Sequence, residues 1–216
     1  MLAREMPRPR PQQRFGDTPA VLAEALSDAV NLAVWQRQLP LHIAGFAQTL
    51  LALGEPLAES LTLEPDADAE CDLQLRSLAS GYRSLAGHAG FVADVAWLVQ
   101  AFACLLDARR IGLRLRVLDK PMCPRFHVDQ VPLRLITTYA GAGSEWLRED
   151  SMPRSQLGDP GAGPIPDADI EHLQPGEVAL FKGEKWHGNE GAGIVHRSPQ
   201  AAPGSGRLIL TLDWLA

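Results

Sequence analysis

Positive charge is in short supply in this chain: 20 Lys and Arg stand against 26 Asp and Glu over 216 residues, a net charge of −6 and a pI near 5.5. The clustered Lys and Arg that nucleic acid or an anionic membrane would require are therefore missing, and the expected partner is a small molecule or a protein substrate. Cysteine is scarce too. Cys71, Cys104 and Cys123 are an odd number at wide spacing, with no C-x-x-C pair and no disulfide framework, which points to a reduced compartment. The N-terminal M-L-A-R-E-M-P-R-P-R-P-Q-Q-R carries prolines and basic residues but no apolar signal core, and no later run reads as long enough to span a bilayer. A cytoplasmic protein that does not engage a membrane is the expectation. Internal repeats, a glycine-rich phosphate loop and a serine elbow are likewise lacking, so nucleotide cradling and serine-hydrolase chemistry have no foothold.

What remains is ample apolar material. At 46% hydrophobic content the chain can bury a full core, and one domain is expected over residues 18–216, preceded by a loose, disordered tail at 1–17. The segment 18–110 reads as mainly helical. From Pro19 to Leu53, apolar residues recur at three- and four-residue intervals (Val21, Leu22, Leu26, Val30 and Val34, then Ile43, Phe46, Leu50 and Leu51), predicting two amphipathic helices. Ser60–Leu63 suggests a short strand. Residues 88–107 predict a third helix, whose apolar stripe from Phe91 to Leu106 should lie against a sheet, with Cys104 as inert core.

The pattern changes at Ile111. I-G-L-R-L-R-V-L-D alternates apolar and basic residues, and strand-like runs continue through 123–139, 177–182, 193–197 and 207–214. Helices first and strands afterwards predict an α+β protein, with helices bracing a β-rich part at 111–216. The Gly/Pro/Asp-rich stretch 141–176 reads as a lid, a binding loop or a disordered insertion.

The chemistry centres on C-P-R-F-H-V-D at 123–129. Read as a strand, His127 and Asp129 share one face, and His196 in H-R-S-P supplies a second imidazole. Two His and one carboxylate can hold one face of a metal and leave the other positions open. His187 is a rival third ligand, and Cys123, four residues before His127, is compatible with a softer zinc site. His42, His88 and His172 read as structural, Arg134 as solvent-facing, and Tyr139 and Trp146 as pocket-lining or packing aromatics.

Four segments, C-P-R-F-H-V-D, T-Y-A-G-A-G-S-E-W at 138–146, H-R-S-P at 196–199 and R-L-I-L-T-L-D at 207–213, resemble the motifs of an uncharacterised bacterial domain-of-unknown-function family. Members of that family are often encoded near zinc-responsive genes, which implies a link to metal. The order H-x-D, His, Arg more distantly resembles the iron(II)- and 2-oxoglutarate-dependent dioxygenases. That resemblance implies a double-stranded β-helix of jelly-roll or cupin type. It also implies iron(II) on His127, Asp129 and His196, and the distal carboxylate of 2-oxoglutarate on Arg207, with Thr211 and Tyr139 near the cosubstrate. The Ser that commonly follows that Arg by two residues is Ile209 here. Three readings stay open: an oxygenase, a zinc-binding or metal-homeostasis protein without redox chemistry, and a metal-free jelly-roll interaction module.

Overall fold

The computed structural model describes residues 10–65, 68–200 and 205–215. Its strands are β1 Gln12–Gly16, β2 Val30–Trp35, β3 Ala58–Leu63, β4 Ile111–Leu118, β5 Leu133–Ala140, β6 Glu145–Leu147, β7 Ile170–His172, β8 Val178–Lys182, β9 His196–Arg197 and β10 Arg207–Trp214. The α-helices are α1 Leu41–Ala52, α2 Asp68–Arg76 and α3 His88–Leu106. A seven-stranded sheet runs β1-β2-β8-β5-β10-β4-β3 and a small sheet runs β7-β6-β9. Every pairing is antiparallel except β1 with β2.

From β4 onward the chain passes back and forth between the two sheets, with β6 and β7 consecutive in the small one. β4, β5, β8 and β10 form the middle of the large sheet, while His127, bridged to His196, joins β6, β7 and β9 in the small one. The architecture is thus mixed α and β with a large sheet, similar to a double-stranded β-helix. The reason is visible along β10, where Leu208, Leu210 and Leu212 join the large core beneath the helices, and Ile209 joins a second core between the sheets. Alternation gives each face of one strand its own core.

α1 and α3 supply the outer layer. Phe46 and Phe91 stack at 5.0 Å, and Phe91 meets Tyr139 edge-on at 4.8 Å. The entry to α3 is fixed by Gly87 at φ 89, where an added Cβ would lie 2.0 Å from the His42 carbonyl oxygen, so only glycine lets α1 and α3 approach this closely. By length and composition α3 is able to cross a membrane, with a mean hydropathy of 1.8, contrary to the expectation that no segment qualifies. Here its Phe91, Val95, Leu98 and Phe102 are buried in the core with the large sheet.

Several expectations need correction. Residues 1–9 lie outside the described residues, but Gln12–Gly16, expected to be loose, is strand β1. The first expected helix is a 3-10 turn at Pro19–Leu26 followed by β2, a wholly or partly buried strand. With both faces covered, V-N-L-A-V-W offers no polar alternation, and its Val30–Val34 spacing mimics a helix. The segment 18–110 also carries β2 and β3 among its helices. Cys104 is exposed on α3, not core. The 141–176 stretch is ordered into β6, two short 3-10 turns and β7, and it closes a third apolar cluster of Phe126, Leu147, Met152 and Val195.

Candidate metal centre

His127 and His196 are brought together by backbone pairing. Each donates its amide N–H to the other's carbonyl, at 3.0 and 2.9 Å, and the two rings lie 4.5 Å apart. The H-V-D segment is therefore an isolated bridge and not the strand read from the sequence. Asp129 arrives from the turn that follows. Its position depends on Gly183, past the end of β8, where an added Cβ would sit 2.6 Å from the Asp129 carbonyl oxygen and 2.1 Å from that of Val131. Glu184 N–H then donates to the Asp129 carbonyl at 2.9 Å and locks the turn.

The side chains converge. His196 Nε2 is 3.4 Å from Asp129 Oδ2, and His127 Nε2 is 3.9 Å from Asp129 Oδ1. One ligand atom from each of the three residues lies within 4.8 Å of the other two, and among the described residues this is the one such group of three. Both Nδ1 atoms lie 3.0 Å from a carbonyl two residues earlier, Arg125 for His127 and Ile194 for His196. A carbonyl can only accept, so each Nδ1 carries a proton, which in the neutral ring leaves the lone pair on Nε2. Burial pushes the His196 pKa down to about 4, only partly offset by the Asp129 charge, and keeps that ring neutral.

Asp129 Oδ2 is buried with no hydrogen-bond partner, a rare condition for a carboxylate oxygen. Two imidazole Nε2 atoms and an unpartnered carboxylate oxygen thus face one point. The donor set suits a divalent transition metal with open positions.

Arg134 was expected in solvent. It instead lies against Asp129, donating from Nη1 to Oδ1 at 2.7 Å, and from Nε and Nη2 to Asp213 at 2.5 and 3.2 Å. Burial lowers its pKa, but the bond to Asp213 and the charges of Asp129 and Asp213 outweigh this and raise it. The parity along β5 was readable, since Arg134 opposes Leu133 and Leu135. What the sequence could not reveal was the second sheet over that face, or the register that sets Asp213 of β10 opposite Arg134.

Arg207, Ile209 and Thr211 share the inner face of β10, as the alternation requires. Arg207 is 7% exposed; Nη2 reaches Ser144 Oγ at 3.3 Å and Nη1 the Ala142 carbonyl at 3.4 Å, while Nε is buried without a partner. Burial draws its pKa down to about 10, against the pull of the Glu145 charge. A guanidinium held this loosely still has bonds to give to an anion.

The other candidates lie elsewhere. Tyr139 belongs to the opposite face of β5, in the core beneath the helices, and donates its hydroxyl to Asp94 Oδ2 at 2.7 Å. Trp146 packs between the sheets with Ile136, Phe181 and Ile209. His187 is exposed in the loop after β8, and Cys123 is half-buried, its backbone paired with Ser198; neither joins the cluster of three. His88 is structural, with Nε2 2.9 Å from the Leu78 carbonyl.

The chain belongs to the family described as "Protein of unknown function (DUF1826)", whose model matches residues 16–213. No curated protein matches it. Among solved structures it is similar to a dioxygenase for auxin oxidation from rice, at 14% identity over 90% of this chain and 77% of that one, with a TM-score of 0.49. The corresponding enzyme of Arabidopsis thaliana, in complex with 2-oxoglutarate, is 12% identical over 96% and 92% of the two chains, with a TM-score of 0.46. A prolyl-4-hydroxylase from Pseudomonas putida is 14% identical over 90% and 96%, with a TM-score of 0.44.

Proposed function

We propose that this member of the family of unknown function is an iron(II)- and 2-oxoglutarate-dependent oxygenase. The observation that carries the reading is the convergence of two imidazole Nε2 atoms and the unpartnered Oδ2 of Asp129 on one point. His127, Asp129 and His196 would hold the metal on one side, leaving the remaining positions to cosubstrate and dioxygen. With 2-oxoglutarate, such a centre supplies the oxidation of a substrate by dioxygen.

The chain's own residues have separate tasks in this reading. The carbonyls of Arg125 and Ile194 fix the imidazole tautomers, so no proton must leave a ring before a metal enters. His127, the most exposed of the three with a side chain 31% open, marks the side from which substrate approaches. Arg207 offers its unpartnered Nε and two long-bonded Nη groups to the distal carboxylate of 2-oxoglutarate. Thr211, on the same face, adds a hydroxyl. A zinc site closed by Cys123 has less support, because that thiol is outside the cluster.

Two measurements test the reading. Metal analysis of protein purified without added metal should find iron or an exchangeable divalent ion near one equivalent. Anaerobic titration of 2-oxoglutarate into iron-loaded protein should raise a metal-to-ligand absorption band. Arg207→Leu should bind metal nearly as before and lose about 2 to 5 kcal/mol of 2-oxoglutarate affinity, the cost of removing one partner of a buried charge pair. Equal titrations in both proteins, or none in either, would remove the cosubstrate from the reading.

A further inference from the structure

We infer that Arg134, anchored by Asp213, is a positioning residue that restricts Asp129 to a single ligand oxygen. This rests on the metal-centre reading above and adds to it a role for two residues that touch no metal. A carboxylate facing a cation can bind through one oxygen or both. Here the choice is already made: Oδ1 accepts from Arg134 Nη1 at 2.7 Å, while Oδ2, 3.4 Å from His196 Nε2, is left unpartnered.

Arg134 can do this because it does not move. Nε and Nη2 grip Asp213 on the neighbouring strand, opposite in register, and Asp213 Oδ2 also accepts from Arg114 Nη1 at 2.7 Å. The planar fork sends N–H groups in two directions at once, so gripping Asp213 aims Nη1 at Asp129; a lysine ammonium on a flexible stem has no such fixed fork. The side chains of Asp129, Arg134 and Asp213 are 8, 18 and 4% exposed, and only Arg114, at 52%, reaches solvent.

Charge explains why Asp213 is needed as well. A bare guanidinium beside the ligand set would repel the very cation that set must hold. Asp213 cancels it, so Arg134 orients Asp129 without opposing the metal. The series Asp129, Arg134, Asp213, Arg114 alternates in sign along its length.

The test uses cobalt(II) alone as the probe, followed by its visible bands and by titration calorimetry. In Asp213→Asn the Arg134 charge is uncompensated, and cobalt binding should weaken by roughly 10- to 100-fold, the usual effect of disturbing a ligand's supporting partner. The amide oxygen left at position 213 can still accept from Arg134 Nε, so Asp129 keeps its single ligand oxygen and the bands should stay in place. In the double variant Arg134→Gln/Asp213→Asn the charges balance again. Affinity should recover at least in part, while the bands lose intensity as the freed Oδ1 adds to the coordination. Should the double variant lack a cooperative unfolding transition, Arg134→Lys is read by the same change of bands. Wild-type bands in the variant used, or wild-type affinity in Asp213→Asn, would overturn the proposal and leave the metal centre standing. If wild-type protein binds no cobalt, iron or zinc, the metal-centre reading itself falls.

Discussion

The two faces of β10 are equally dry and do different things. Leu208, Leu210 and Leu212 point into the core under α1 and α3, while Arg207, Ile209, Thr211 and Asp213 point toward the small sheet; none of the seven is more than 9% exposed. Burial therefore does not separate structure from chemistry in this molecule. Charge does: the helix face is apolar, and the inner face spends two charges and a hydroxyl in a place where each must be satisfied or carry a cost. β5 repeats the division in charge, with Leu133, Leu135, Thr137 and Tyr139 on one side and Arg134, Ile136 and Thr138 on the other. One set of strands thus carries stability on one face and ligand placement on the other.

The sharpest way to break this comparison is to damage the helix face alone. Phe91→Ala removes a fully buried ring that touches Phe46 and Tyr139, and should cost about 3 to 5 kcal/mol of stability. Urea melts measure that loss. Cobalt affinity, taken at a temperature where the variant is folded, should match wild type. A large drop in affinity at full folding would mean the two faces are not independent.

A smaller effect belongs to the inner face. His196 has its pKa lowered from 6.5 to about 4, chiefly by burial, so below pH 6.5 the unfolded chain takes a proton that the folded ring resists. The sign follows: this contribution is whole above pH 6.5 and is lost as pH falls toward about 4. Metal-free protein should lose about 2 kcal/mol from this residue between pH 7 and pH 5. His196→Gln should flatten that part of the profile. An unchanged slope in the variant would place the titration on another group.

How much of this was legible in the sequence depended on whether a strand had one covered face or two. β4 was plain, because Arg114 and Arg116 alternate with Leu113 and Leu115 at the large core. β2 was read as helix because both its faces are covered and nothing polar marks the alternation except Asn31. The spacing of His127 and Asp129 reads as a shared strand face, whereas His127 forms a single bridge to His196 and Asp129 lies outside any strand. Arg134 and Tyr139 were misplaced together, although parity alone puts them on opposite faces of β5. What no single sequence contains is which face the helices cover, and the pairing that sets Asp213 against Arg134.

Tyr139 gives the smallest and most selective test of that division. The sequence reading set this residue beside a cosubstrate; the structure buries it under α3, where its hydroxyl donates to Asp94 Oδ2. Asp94 also accepts from Arg37 through Nη1 at 2.6 Å and Nη2 at 2.9 Å, so removing the hydroxyl does not leave the carboxylate alone. Tyr139→Phe keeps the ring against Phe91 and loses one hydrogen bond to a charged group, at about 1 to 2 kcal/mol. For a chain of this length that lowers Tm by roughly 2 to 8 °C. Affinity for metal, and for 2-oxoglutarate in the iron-loaded protein, should not change, because β5 turns this side chain away from the inner face. A variant that melts like wild type but binds 2-oxoglutarate several-fold more weakly would reverse the assignment of faces on β5, and with it the separation drawn from β10.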